Sequence, residues 1–167
     1  MNFIRIASLM LILFVTACAS QPPMPRADLV LVEKSQNKMY LIDNGEVMKE
    51  YKISLGSNPI GDKIHEGDMR TPEGNYYIEY RNDQSKFYKS LKISYPDAND
   101  SAQAYAQGLS PGGDIVIHGL PNGVRDRDIK GELYPLNWTE GCIAVKNKEM
   151  DEIWQLVDVY TPIEIRP

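Results

Sequence analysis

Apolar residues fall in short runs separated by polar, glycine- and proline-rich stretches, too short for long helices and in places alternating at a period of two. Ala27–Glu33 (Ala-Asp-Leu-Val-Leu-Val-Glu) reads as a first strand. Lys38–Ile42 and Val47–Leu55 flank Asn44-Gly45, a pair that suits a two-residue hairpin because both positions tolerate positive φ. In the second of these strands Val47, Tyr51, Ile53 and Leu55 fall on one face and are expected to point inward. Gly56–Gly74 is a loop dense in glycine, proline and charge. Strands resume at Asn75–Arg81, at Leu91–Tyr95 (stopped by Pro96), at Asp114–His118 and at Ile163–Ile165.

The period changes to helical in two places. Asp100 or Ser101 is placed to cap a short helix running through Gln107, with Gly108 as its stop. Asn147 is expected to cap a second helix, in which Met150, Ile153, Trp154 and Val157 share a face until Thr161-Pro162 ends the segment. Seven or eight short strands with one or two helices make a mainly β domain. An antiparallel sandwich or barrel with a helix packed on it fits best. At 167 residues and 43% hydrophobic, the chain can bury a real core as one domain.

The first residues do not belong to that domain. Arg5 is the only charge before Arg26, and Ile6–Ala17 is apolar but short for a bilayer span. Residues 1–17 read as a lipoprotein signal peptide, ending in Val15-Thr16-Ala17-Cys18. Cys18 is then the lipidated first residue, residues 18–26 a short tether containing Pro22, Pro23 and Pro25, and residues 27–167 the folded domain. Ala19, rather than aspartate, after the cysteine points to the outer membrane. The expected location is therefore the periplasm, with the chain held on that membrane by its lipid.

Net charge of −5 argues against a nucleic-acid partner, which calls for a basic stripe. Asp62, His65, Glu66 and Asp68 lie close in sequence, yet their spacing matches no zinc or calcium pattern. No metal or organic cofactor is called for.

The two cysteines are Cys18 and Cys142. With the first acylated, the second is a lone exported thiol. It follows Gly141 and opens an apolar run, while His118 closes one and precedes Gly119. A cysteine after a glycine and a histidine at a strand end are the parts of a thiolate nucleophile and its base. The amides of Gly141 and Cys142 are candidates to face a developing oxyanion. Leu120–Leu136, a long polar connection between the two halves, reads equally as a lid or as a solvated excursion.

Ile117-His118-Gly119 followed by Thr139-Glu140-Gly141-Cys142 resembles the L,D-transpeptidase catalytic domain, the YkuD-type family. Gly67–Gly74 and Thr161-Pro162-Ile163 sit where that family has such segments, so the resemblance covers essentially Ala27–Pro167. It implies a cysteine acyltransferase acting on peptidoglycan stem tetrapeptides. Attack falls at the L-centre of meso-diaminopimelate and expels D-alanine, and an amine then takes the acyl group. Carried over residue by residue, Cys142 is the nucleophile, His118 the base and the Gly119 carbonyl its orienter, with Gly141 and Cys142 amides as oxyanion donors. Carbapenem-type β-lactams are expected to acylate Cys142.

Two positions depart from the family pattern. Glu140 stands where histidine is usual, and Ala144 where an arginine is usual. Glu140 is expected to enter the substrate groove and meet an amino group; facing the sulfur, it would raise the thiol pKa. Thr139 belongs to the same groove, and Arg70, Arg125 or Arg127 are candidates to replace the absent arginine. A hydrolase on the same scaffold, trimming stems or detaching a wall-anchored lipoprotein, needs the same pair. A non-catalytic wall-binding domain needs neither.

Overall fold

The computed structural model describes residues 25–129 and 136–167. The leader, Cys18 and the start of the tether lie outside them, as do residues 130–135 of the long connection. Eight strands form one mixed sheet: β1 (Leu29–Glu33), β2 (Lys38–Asp43), β3 (Glu46–Lys52), β4 (Gly74–Ser85), β5 (Tyr88–Ile93), β6 (Val116–His118), β7 (Ile143–Ala144) and β8 (Pro162–Arg166). Their spatial order is β3-β2-β1-β8-β4-β5-β6-β7. Most pairings are antiparallel; β1–β8 and β6–β7 are parallel.

The sheet curls until its ends meet. Just past β3, Ser54 pairs with Ala144 of β7 through two backbone hydrogen bonds of 2.9 and 2.8 Å, and Gly56 bridges to Thr139. These bridges hold the site loops against the far end of the chain. Inside, Val30 and Val32 of β1, Met39 and Leu41 of β2, and Ile78, Leu91, Ile93, Ile117 and Ile143 are buried. Helix α2 (Asn147–Leu156) closes the core with Met150 and Ile153, followed by Val157. Removing such side chains from water is the main stabilising term, about 1.5–3 kcal/mol for each large one.

Three local expectations change. Val47 is exposed, because the register slips between Leu41 and Ile42. That bulge leaves Met48 unpaired and turned toward the core, so inward alternation holds at Tyr51, Ile53 and Leu55 but not before it. Helix α1 (Ala98–Ala106) is capped by Asp97, one turn earlier than expected, and Asp100 closes a capping box by accepting from the Asp97 amide. Asp100, in the first turn and buried, also accepts from Tyr76 Oη. The cap of α2 comes from afar. Asp126 accepts from the amides of Asn147 and Lys148 at 2.8 and 3.0 Å, while the Asn147 side chain accepts from Leu120 N at 2.8 Å. The described part of the long connection is thus tied to α2 at both of these points.

Candidate active site

Strand pairing brings the two halves together. β6 and β7 run parallel with Ile117 opposite Ile143 and His118 opposite Ala144, so stepping back one residue sets Cys142 beside Val116. The thiol donates to the Asp114 carbonyl at 3.6 Å, and the Val116 amide donates to the sulfur. Asp114 adopts φ +55°, which turns its carbonyl toward the sulfur at the entrance to β6.

His118 is 2% exposed, and its Nδ1 lies 2.6 Å from Gly119 O. A carbonyl only accepts, so Nδ1 carries the hydrogen and Nε2 presents its lone pair. No side chain fits at Gly119: a Cβ there would stand 2.6 Å from Asn147 Oδ1. The Gly119 amide in turn donates to Phe87 O at 3.1 Å, in the turn between β4 and β5. That same turn lays the Phe87 ring 4.5 Å from the imidazole, and Trp138 meets it edge-on at 5.7 Å.

Thr139 fixes the cysteine loop. Its Oγ1 donates to Cys142 O at 2.7 Å and accepts from Gly141 N at 3.2 Å. Gly141 has φ +135°, and a Cβ on it would come 2.6 Å from Arg70 O. Only glycine suits this place. With the Gly141 amide engaged by Thr139, Cys142 is the residue left to offer its amide to an oxyanion.

The electrostatics favour a neutral pair at rest rather than the thiolate–imidazolium pair that proximity alone suggests. Burial pushes the His118 pKa down to about 4, against the smaller opposing effect of the Gly119 carbonyl. Burial likewise pushes the Cys142 thiol up. The Val116 amide and the Lys63 ammonium pull it down, while the Asp114 and Glu140 carboxylates raise it further.

Two cavities meet at the sulfur. One, of about 260 Å³, is lined by Phe87, His118, Trp138, Thr139, Glu140 and Cys142. The other, of about 300 Å³, is lined by residues that include Lys63, Glu66, Asp114, Glu140 and Cys142. A half-buried thiol open to both, beside an imidazole with a free lone pair, is suited to acyl transfer.

The L,D-transpeptidase catalytic domain model of the YkuD family matches residues 27–165. The chain belongs to that family. Its relatives include "Putative L,D-transpeptidase YafK" of Escherichia coli K12, 31% identical over 115 residues, which are 67% of this chain and 38% of that protein. Among solved structures, the helical cell shape determining protein Pgp2 of Campylobacter jejuni (K307A mutant) superposes with a TM-score of 0.61 at 28% identity, covering 83% of this chain and 46% of that one. A mutant L,D-transpeptidase of Enterococcus faecium superposes at 0.55 and 16% identity, over 86% and 51% of the two chains, a likeness of fold alone. This chain spans less than half the length of YafK and Pgp2.

Within this L,D-transpeptidase domain the anticipated residues fall into two groups. Cys142, His118, Gly119, Thr139, Glu140 and Gly141 converge on the sulfur and its two cavities. The guanidinium of Arg70 lines a separate cavity with Asn58, Ile64, His65, Asp68 and Gln107, and donates to Asp62 O at 3.1 Å. Arg125 is exposed and paired with Asp128, and Arg127 is exposed on the same 3-10 turn. Sequence reasoning overlooked Phe87, Trp138 and Lys63. Nothing in a lone aromatic before Tyr88 signals a histidine partner 31 positions on; the antiparallel pairing of Ser90 with His118 creates it.

Proposed function

We propose that this chain is a peptidoglycan L,D-transpeptidase that acylates Cys142 with a stem tetrapeptide and passes the acyl group to an amine. The observation that carries this reading is the His118 imidazole, oriented by Gly119 O and sharing a cavity with the Cys142 thiol. As sulfur attacks the carbonyl of the diaminopimelate L-centre, its proton passes to His118 Nε2. The new C–S bond forms, the oxyanion is met by the Cys142 amide, and the C–N bond to D-alanine breaks as Nε2 returns the proton to the leaving nitrogen. An acceptor amine then enters, gives a proton to Nε2 and attacks the thioester; the new amide C–N bond forms, the C–S bond breaks, and Nε2 returns the proton to the leaving sulfur, restoring the thiol.

The protein acts outside the cytoplasm, held at the outer membrane through lipid on Cys18, a placement supported by Val15-Thr16-Ala17-Cys18 and the apolar leader. Its partners are peptidoglycan stem peptides, with a wall-anchored lipoprotein as a further acyl acceptor or substrate. The test is product analysis by mass spectrometry after incubating purified protein with disaccharide tetrapeptides. Cross-linked dimers are expected. Trimmed monomers alone would make it a hydrolase, and unchanged substrate would leave only wall binding.

A further inference from the structure

The strand ladder holds His118 but stops short of the group that orients it. β6 ends at His118, whose own carbonyl accepts from Val145 N at 2.9 Å, and the Gly119 amide donates to Phe87 O. The next peptide unit joins Gly119 to the buried Leu120. Its carbonyl accepts from His118 Nδ1 at 2.6 Å, and its N–H donates to Asn147 Oδ1 at 2.8 Å. Two side chains, one at each end, fix the plane of this peptide.

Glycine makes that fixing necessary. Gly119 turns freely about its backbone bonds, so the Gly119–Leu120 peptide can rotate without moving β6. No larger residue fits, because a Cβ at Gly119 would stand 2.6 Å from Asn147 Oδ1 and 3.0 Å from Tyr88 Cβ. Asn147 is itself firmly placed. It opens α2, a helix anchored in the core by Met150 and Ile153, and its amide donates to Asp126 Oδ1 at 2.8 Å. Its side-chain Nδ2 faces Val124 O at 3.4 Å, so the oxygen of that side chain is the atom turned to Leu120 N.

Resting on the transferase reading above, we infer that Asn147 is a positioning residue for His118, acting through the Gly119–Leu120 peptide. Accepting at the N–H end polarises the peptide and strengthens its carbonyl as an acceptor for Nδ1. The proton stays on Nδ1, and Nε2 keeps the lone pair that takes the Cys142 proton. Without Asn147 Oδ1 the buried N–H loses its partner, the peptide rotates to regain one, and Gly119 O leaves Nδ1. Part of the ring proton then moves to Nε2, where the imidazole no longer serves as a base.

The test joins two readouts on the full chain. Long-range proton–nitrogen NMR at neutral pH reports which ring nitrogen of His118 carries the hydrogen, and single-turnover mass spectrometry reports acylation of Cys142 by a stem tetrapeptide. Asn147→Ala is expected to populate the Nε2–H tautomer and to slow acylation at saturating donor roughly 10- to 100-fold, with the half-saturating concentration unchanged. Asn147→Asp keeps an acceptor for Leu120 N and is expected to restore the Nδ1–H tautomer and most of the rate. Its charged oxygen also strengthens the bond, so the Nδ1 proton resonance is expected downfield of the parent's, an effect that misfolding cannot mimic. Asp126→Ala, which removes the α2 cap but leaves Asn147 Oδ1, is expected to lower the melting temperature and keep the parent tautomer. A parent-like tautomer in Asn147→Ala, an unmoved Nδ1 proton in Asn147→Asp, or an equal tautomer shift in Asp126→Ala overturns the inference. The tautomer is read whether or not the chain reacts, so a parent chain that is never acylated overturns the transferase reading separately.

Discussion

The Phe87 ring lies over the His118 imidazole with centroids 4.5 Å apart and planes inclined by 36°. This contact, with Trp138 at the ring edge, keeps water from the imidazole and holds it neutral. Phe87→Ala is expected to move the His118 pKa from about 4 toward its ordinary value near 6.5. The acid limb of the activity profile should rise with it. Proton NMR titration checks this simply, since His65 is the only other histidine. An unmoved His118 resonance would mean that Phe87 does not shield it.

Stability should depend on pH through the same residue. His118 binds a proton less readily folded than unfolded, so between about pH 6.5 and pH 4 the unfolded chain holds more protons. Its burial is therefore without penalty above pH 6.5, and stability is lost as the pH falls through that window. The loss attributable to this group is roughly 3 kcal/mol by pH 4. Urea denaturation at several pH values measures it, and His118→Gln should flatten that part of the curve. Asp68 adds a second loss at lower pH. Burial raises its pKa, but Lys63 and the amides of Arg70, Ile64 and His65 outweigh this and hold it near 2.

Thr139 governs geometry at the sulfur. Thr139→Val removes the donor to Cys142 O and the acceptor for Gly141 N. Acylation by tetrapeptide should slow by roughly 10- to 100-fold, and Thr139→Ser should restore most of it. Equal rates in all three proteins would show that the cysteine loop holds itself.

Gly141→Ala combines an unsuitable φ of +135° with a methyl 2.6 Å from Arg70 O. Thermal denaturation should show a loss of at least about 1–3 kcal/mol. A melting point equal to the parent's would mean that the loop relaxes freely.

Much of this was readable from residues alone, for identifiable reasons. Asn44-Gly45 and the short Leu/Val run within Ala27–Glu33 are local signals, and the hairpin and β1 appear at those places. The match of the family model to residues 27–165 accords with the paired His118-Gly119 and Gly141-Cys142 motifs. What stayed hidden is non-local. The bulge that exposes Val47 depends on how β2 and β3 settle, and the α2 cap depends on Asp126 folding back across the chain. The neutral state of the pair could not be foreseen either, because the burial that sets it is supplied by Phe87 and Trp138 from two distant loops. Arg70 looked available in sequence, but its guanidinium donates through Nη1 to Asp62 O and lines a cavity that does not include Cys142.

The account rests on covalent chemistry at Cys142, and intact-protein mass spectrometry with peptide mapping addresses that directly. After brief exposure to a disaccharide tetrapeptide or to a carbapenem, the parent chain should gain one acyl group on Cys142, with D-alanine released from the tetrapeptide. Cys142→Ala should gain none, and His118→Gln should gain it far more slowly. An unmodified Cys142 after prolonged exposure to both reagents, or an adduct that persists in Cys142→Ala, would contradict it.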